Sequence, residues 1–220
     1  MNTEDRLAEA SRLDDEGYDA FKPGDAESAR NLHTRSLEIA REAAEPSAIA
    51  AALGGLMRIA LRDKDFEDLS KLVSEGEAVA QESGDESLSR YPLHMRAEGT
   101  RMQGNLAGAR EAYLASLALN EKLGDDDMVA VELGNLAWVE IAEGNLAEAE
   151  RLISECETAT SPDDSYGLAF VLLTRARINL ERGDQTGSRL LLEADQALES
   201  AGLVWDPAEW ETYEETKAMV

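Results

Sequence analysis

Apolar residues recur every three or four positions along most of the chain, which is the spacing of one face of an α-helix. The pattern is clearest from Phe66 to Gly76 and from Leu146 to Cys156. No segment alternates apolar and polar residues as a half-buried strand does. The sequence therefore predicts an all-α fold.

Turn-forming and capping residues divide this pattern into separate helices. The five prolines fall at predicted helix boundaries, where a missing N–H group is tolerated. The predicted helices span about residues 3–21, 25–43, 47–62, 65–82, 88–102, 105–123, 127–142, 145–159, 164–181 and 184–200. A last helix, over 206–219, is expected to begin with Asp206 as its cap and Pro207 in its first turn.

An internal repeat organises these helices into pairs. Turn residues recur at positions 24, 64, 104, 144 and 183, so the period is 40, 40, 40 and 39 residues. We expect equivalent buried sites for the leucines eleven residues before each turn residue, namely Leu13, Leu53, Leu93, Leu133 and Leu172. The repeats cover about residues 3–43, 47–82, 88–123, 127–159 and 164–200. Trp210 and Tyr213 of the last helix, helped by Leu203, Val204 and Trp205, are expected to cover the final pair.

Two stretches carry a resemblance to a known family. Gly-Asn-Leu-Ala-Trp at 134–138, followed by Glu-Gly-Asn-Leu-Ala-Glu-Ala-Glu at 143–150, resembles a tetratricopeptide repeat, and residues 103–113 are similar to the second half of another. The long period resembles that of repeats in bacterial signalling regulators and kinesin light chains. The resemblance implies a single solenoid domain over 1–220, a right-handed α-α superhelix of five helix pairs with a C-terminal capping helix.

The charge and composition of the chain reduce the number of functions that are expected of it. The 21 basic and 46 acidic residues give a formal net charge of −25, which repels phosphate groups, so we expect neither nucleic-acid nor membrane binding. A solvated acidic surface explains this charge more simply than a specific basic partner does. The single cysteine cannot form an internal disulfide, and no leader sequence is visible, so a cytoplasmic location is expected.

No motif for catalysis, cofactor binding or metal binding is present, and we expect a protein that is not an enzyme. In the repeat register, His33 occupies a packing position and Cys156 is expected to be a small buried residue. The run Asp125–Asp127 is explained by a helix start, where carboxylates complement the dipole, although a cation is the alternative.

The resemblance also implies a binding surface, because in this family the first helix of each pair lines a concave groove. Residues at the matching positions, six, three or two before each turn residue, include Tyr18, Arg58, Arg62, Glu98, Arg101, Trp138 and Arg177. His94 and Asn135 stand nine or ten before it and are added to the candidate set. The arginines suggest an acidic ligand, but they have an alternative role as ion-pair partners of the protein's own carboxylates.

Glycines inside the first helices leave a further alternative open. Gly54, Gly55 and Gly134 destabilise a helix interior by roughly 1 kcal/mol each relative to alanine, so something must offset that cost. Either two helices pack closely there, or the groove floor is lowered so that a ligand reaches the backbone.

The expected function is a non-enzymatic scaffold that holds a peptide or helix, acidic or mixed in charge, in the groove. A sensor subunit that binds a small anionic effector is one alternative, and a self-assembling structural module is another. We expect a protein or peptide partner, no cofactor, and a monomer or weak homo-oligomer.

Overall fold

The computed structural model describes residues 2–22, 24–205 and 207–220, and no strand occurs in them. They form α1 (Thr3–Phe21), α2 (Ala26–Ala43), α3 (Pro46–Arg62), α4 (Phe66–Ser83), α5 (Arg90–Met102), α6 (Leu106–Leu123), α7 (Asp126–Ala142), α8 (Leu146–Ala159), α9 (Ser165–Glu181), α10 (Thr186–Ala201) and α11 (Pro207–Lys217). The all-α prediction is confirmed, and each helix of the five pairs begins and ends within two residues of its predicted bounds. A short 3-10 helix, Glu86–Ser89, precedes α5 and was not predicted.

The repeated turn has the same backbone in each pair. Its glycines at 24, 104, 144 and 183 all have positive φ, between 74° and 95°, while Lys64 has the left-handed conformation with φ 56°. The next residue often caps the second helix: the side chains of Asp25, Asp65 and Asn105 each accept a hydrogen bond from the backbone N–H three residues later. Pro23 and Asp206, which the sequence assigned to a turn and a cap, lie outside the described residues.

The helices form two compact units, Met1–Gly104 and Asn105–Val220. In each unit consecutive helices pack against one another. The first helices of neighbouring pairs also contact, α1 with α3 and α3 with α5 in the first unit, and α7 with α9 in the second. Helix α11 continues that row by contacting α9. A single solenoid domain over 1–220 stays a prediction.

The predicted leucine register needs two corrections. Leu13, Leu53 and Leu133 are buried, but Leu93 and Leu172 are only partly buried. In α9 the neighbouring Leu173 is fully buried instead, at 0% exposure, while Ala176 keeps the buried position of Ala137 in the repeat register. In α5 the core is filled instead by Met95, at 5% exposure.

The C-terminal cover also differs in part from the prediction. Trp205 and Tyr213 are buried in the core of α9 and α10, with their rings stacked at a centroid distance of 5.8 Å. The hydroxyl group of Tyr213 donates a hydrogen bond to Asp195 at 3.0 Å. Trp210 is 51% exposed but its ring lies 5.5 Å from the Tyr213 ring, so it covers the pair only in part, and Val204, at 79% exposure, does not. The predicted contribution of Leu203 is also wrong, since it is 41% exposed.

Ion pairs join the second helix of one repeat to the turn of the next. In the first unit, Arg30 contacts Asp63 at 3.1 Å. In the second, Arg110 contacts Glu143 and also donates to Glu140 at 2.7 Å. These arginines stand six residues after one turn residue, and Asp63 and Glu143 stand one residue before the next. The polarity reverses once along the chain, where Glu150 takes the arginine position and Arg182 the acidic one, with 3.1 Å between them.

Candidate functional site

Helices α1, α3 and α5 place six of the nine candidate residues on the first unit: Tyr18, Arg58, Arg62, His94, Glu98 and Arg101. At the centre of this group is the guanidinium of Arg58. Its Cζ lies 4.8 Å from the ring centroid of Tyr18 and 5.7 Å from that of Tyr91. Its Nε donates a hydrogen bond to the Tyr91 hydroxyl at 3.1 Å. Arg58 therefore bridges two aromatic rings from the neighbouring first helices.

Gly54 explains how Tyr91 reaches this position. A Cβ atom at Gly54 would lie 3.2 Å from the Tyr91 ring, and one at Gly55 would lie 2.3 Å from the His33 ring. In the second unit a Cβ at Gly134 would be 2.6 Å from Phe170. The glycines thus permit close packing of rings against the first helices. Sequence reasoning did not identify Tyr91, although an aromatic residue thirteen positions before a turn residue, repeated as Phe170, was a usable signal.

Burial acts on both members of the Arg58–Tyr91 pair. It raises the pKa of Tyr91 above the ordinary value for a phenol, and the nearby Arg58 charge opposes this only in part. Burial alone would lower the pKa of Arg58, but the contacts with Tyr91 and Tyr18 outweigh it, and the net direction is upward. At neutral pH the guanidinium is therefore charged and the phenol is neutral.

One turn further along α3, Arg62 has a similar environment. Its Cζ lies 4.2 Å from the ring centroid of Phe21, and its Nη1 donates to the Phe21 carbonyl oxygen at 3.2 Å. The Nη2 atom is buried and has no hydrogen-bond partner, and the nearest carboxylate oxygen, on Asp63, is 3.9 Å from Nε. We call the group Tyr18, Phe21, Arg58, Arg62 and Tyr91 the arginine–tyrosine patch. Of its two guanidinium groups, that of Arg62 has a carboxylate at 3.9 Å, whereas that of Arg58 has none within 4 Å among the described residues.

The remaining candidates of the first unit adjoin this patch. The His94 ring is tilted by 37° against the Tyr91 ring, with 6.2 Å between centroids. Arg101 donates to the buried carboxylate of Glu98 at 2.7 Å. Arg101 thus pairs with a carboxylate of the protein itself, which is the alternative role that the sequence analysis left open for these arginines.

The second unit contains Asn135, Trp138 and Arg177. Trp138 donates from its indole nitrogen to Thr174 at 2.9 Å, and the Arg177 Cζ lies 6.0 Å from the centre of the indole. Arg177 also contacts two carboxylates, Glu181 at 2.8 Å and Glu215 at 3.5 Å. Asn135 is buried, at 8% exposure. Aromatic stacking therefore recurs here, but the cation is neutralised within the protein.

The other residues considered in the sequence analysis, His33, Cys156 and Asp125, are buried or serve as a helix cap. His33 is 3% exposed and its Nδ1 donates to Asp14 at 2.7 Å. Cys156 is 3% exposed, and burial raises the pKa of its thiol. Asp125 caps α7 by accepting from the Met128 N–H. Among the residues whose positions are described, no three His, Cys, Asp or Glu are grouped to hold a metal ion. No helix in this part of the chain is long and apolar enough to cross a membrane.

Comparison with known proteins adds evidence on the fold. No protein-family model matches the chain, and no curated protein sequence matches it. The crystal structure of BtubC (BKLC) from P. vanneervenii is similar, with a TM-score of 0.67 over 94% of this chain and 94% of that chain. The sequence identity is 15%, so the likeness concerns the helical repeat fold alone.

Proposed function

We propose that this protein is a non-enzymatic interaction module of the tetratricopeptide type, which binds an acidic segment of a partner protein on the arginine–tyrosine patch. The repeat type is supported by the 40-residue period and by the Gly-Asn-Leu-Ala-Trp and Glu-Gly-Asn-Leu-Ala-Glu-Ala motifs in residues 134–149. Such repeats present rows of first helices on which a peptide lies, and α1, α3 and α5 form a row of this kind.

One observation carries the proposal. Within the described ranges no carboxylate lies within 4 Å of the Arg58 guanidinium, although the formal net charge of the chain is −25. Arg177, at the same register position as Arg58, and Arg101, three positions later in the register, each contact at least one carboxylate. The two tyrosine rings hold Arg58 in place while leaving its charge available.

The chemistry of the patch favours a carboxylate ligand. A guanidinium donates two parallel hydrogen bonds to a carboxylate, and partial burial makes such a pair stronger than one in bulk water. Arg58 and Arg62 are four residues apart on α3, so their side chains share one face, and the charge of Arg62 adds to the attraction at Arg58. Tyr18, at 44% exposure, offers a ring surface beside them.

The test uses a fluorescein-labelled peptide of six consecutive glutamates and fluorescence anisotropy. Replacing Arg58→Ser and Arg62→Ser together removes the patch charges. The matched control, Arg12→Ser with Arg41→Ser, removes the same charge from exposed ion pairs with Glu9, Glu16 and Glu75. Because a charged hydrogen bond contributes about 1.5–3 kcal/mol, we expect the patch variant to lose at least about tenfold in affinity.

The control variant is expected to keep its affinity, and binding should weaken as ionic strength rises above about 0.15 M. Retained binding by the patch variant, with a lowered melting temperature, would show that the two arginines only hold α1, α3 and α5 together. If citrate displaces the labelled peptide at a lower concentration than the unlabelled glutamate peptide does, the result would favour the effector-sensor function instead.

A further inference from the structure

The pairing of an aromatic ring with an arginine in the first unit recurs in the second. Tyr18 and Arg58 stand six residues before their turn residues, and Trp138 and Arg177 occupy the same register position in the fourth and fifth repeats. The Arg58 Cζ lies 4.8 Å from the Tyr18 ring centroid, and the Arg177 Cζ lies 6.0 Å from that of Trp138. Each unit therefore places a guanidinium against an aromatic ring of the preceding first helix.

The third helix of each row supplies a different group to this arginine. In the first unit α5 supplies the Tyr91 hydroxyl, which accepts a hydrogen bond from Arg58 at 3.1 Å. In the second unit α11 supplies Glu215, whose carboxylate lies 3.5 Å from Nη1 of Arg177. A second carboxylate, that of Glu181, comes from α9 itself and contacts Arg177 at 2.8 Å. The second unit thus provides from its own chain the acidic group that we propose a partner supplies to Arg58.

Helix α11 is attached to its unit through aromatic packing and hydroxyl groups. Tyr213 lies in the core of α9 and α10, Trp205 stacks on it, and Tyr166 donates to Glu209 at 3.0 Å. The indole N–H of Trp205 is buried, and among the described residues no acceptor forms a hydrogen bond with it. An unsatisfied buried donor destabilises the docked position of this segment, because water would satisfy the donor once the segment is released. This lowers the free energy that a competing ligand needs to displace α11.

We propose that Arg177 and Trp138 form a second binding site for an acidic segment of a partner protein, and that α11 masks this site by placing Glu215 on the arginine. The inference rests on the proposed function, because it takes an arginine against an aromatic ring as the element that binds a carboxylate. An incoming carboxylate competes with Glu215 for the same guanidinium, so masking and binding exclude each other there. Glu211, one turn before Glu215 on α11, is exposed and adds like charge that repels an acidic segment while α11 is docked.

The test uses the labelled six-glutamate peptide and the Arg58→Ser, Arg62→Ser protein, in which the patch is disabled. Adding Glu215→Gln to this protein neutralises the mask and leaves the packing of α11 intact, because the Glu215 side chain is 62% exposed. We expect the affinity for the peptide to rise about tenfold above that of the patch variant. Further addition of Arg177→Ser should remove this gain.

The matched control is Glu214→Gln, which removes the same charge from the neighbouring position, where the carboxylate contacts Lys217 at 4.0 Å. This change should leave the affinity of the patch variant unaltered. An equal gain from Glu214→Gln and Glu215→Gln would show a general effect of net charge and would overturn the proposal. Binding that is regained only after Glu181→Gln would place the mask within α9 and overturn the role of α11.

The outcomes separate the masked site from the proposed function. If the unaltered protein binds the peptide through the patch, and Glu215→Gln adds nothing in the patch variant, the masked site is wrong and the proposed function stands. If Glu215→Gln adds binding although the patch variant and the unaltered protein bind the peptide equally, the masked site stands and the assignment of the patch is wrong. Absence of binding in every variant refutes both.

Discussion

Lys64 is the clearest place to test the link between turn geometry and stability. It has φ 56°, whereas the equivalent turn residues are glycines with φ between 74° and 95°. The hydrogen bonds are the same in both kinds of turn: Lys64 N donates to Leu61 O at 3.0 Å, as Gly144 N donates to Ile141 O at 2.9 Å. Glycine therefore fits at position 64 without any rearrangement of the turn.

The expected gain follows from two opposing terms. An L-residue in the left-handed region costs about 1–2 kcal/mol, and glycine loses about 0.5–1 kcal/mol more in backbone entropy on folding. Lys64→Gly should thus stabilise the protein by about 0.5–1 kcal/mol, which corresponds to a rise of about 1–4 °C in melting temperature for a chain of this size. The measurement is thermal unfolding followed by circular dichroism.

Since the Lys64 side chain makes contacts of its own, Lys64→Ala is the necessary control: it removes the side chain but keeps the backbone cost. Gly104→Lys is the reverse change and should lower the melting temperature. If Lys64→Gly melts no higher than Lys64→Ala, backbone conformation does not limit the stability of this turn and the reasoning is wrong.

Three further predictions concern the packing between repeats. Glu150→Arg and Arg182→Glu should each destabilise the second unit by no more than about 1 kcal/mol, because the pair is exposed. The double swap should restore only part of the loss in a double-mutant cycle of urea unfolding, since Glu150 also contacts Arg175 at 3.8 Å. Independent effects of the two changes would contradict this. Leu173→Ala should lower the free energy of unfolding by about 2–5 kcal/mol, and Leu172→Ala by clearly less, because only Leu173 is fully buried. Equal losses would show that Leu172 is a core residue after all. Cys156 should react slowly with a thiol reagent at pH 8 in the folded protein and fully after unfolding, since burial raises the pKa of its thiol and limits access; fast native reaction would place it at the surface.

The helices were predictable because their signals are local. A 3.6-residue period, a turn residue and a capping Asp or Asn lie within a few residues of one another, so their positions follow from the sequence alone. The exceptions arise where tertiary packing decides. Glu86–Ser89 forms a 3-10 helix in which Asp85 accepts from the Ser87 N–H, and α5 begins only at Arg90. In the fifth repeat Leu173 is buried in place of the predicted Leu172, which the repeat spacing alone did not reveal.

The candidate site was less predictable, because the partner of a charged side chain depends on residues far away in sequence. The repeat register brought together Arg58 and Arg62, which share a face of α3. It did not reveal that Arg177 contacts Glu215, 38 residues later, or that Tyr91 accepts from Arg58 across 33 residues. Such contacts separate an arginine that the protein itself neutralises from one whose charge stays available.

The lack of a carboxylate near Arg58 among the described residues is unusual in so acidic a chain. Acidic residues outnumber basic ones by 46 to 21, so a carboxylate is close to arginines along the second helices, as Arg30, Arg110 and Arg151 show. Tyr18 and Tyr91 occupy the positions beside Arg58 from which a carboxylate would reach it. An aromatic ring stabilises a guanidinium without cancelling its charge, and burial moves the pKa of the Tyr91 phenol still further above neutral pH, so this ring adds no opposing charge. Among the described residues no carboxylate lies within 4 Å of the Arg58 guanidinium, and the proposed acidic partner would supply the missing counter-charge.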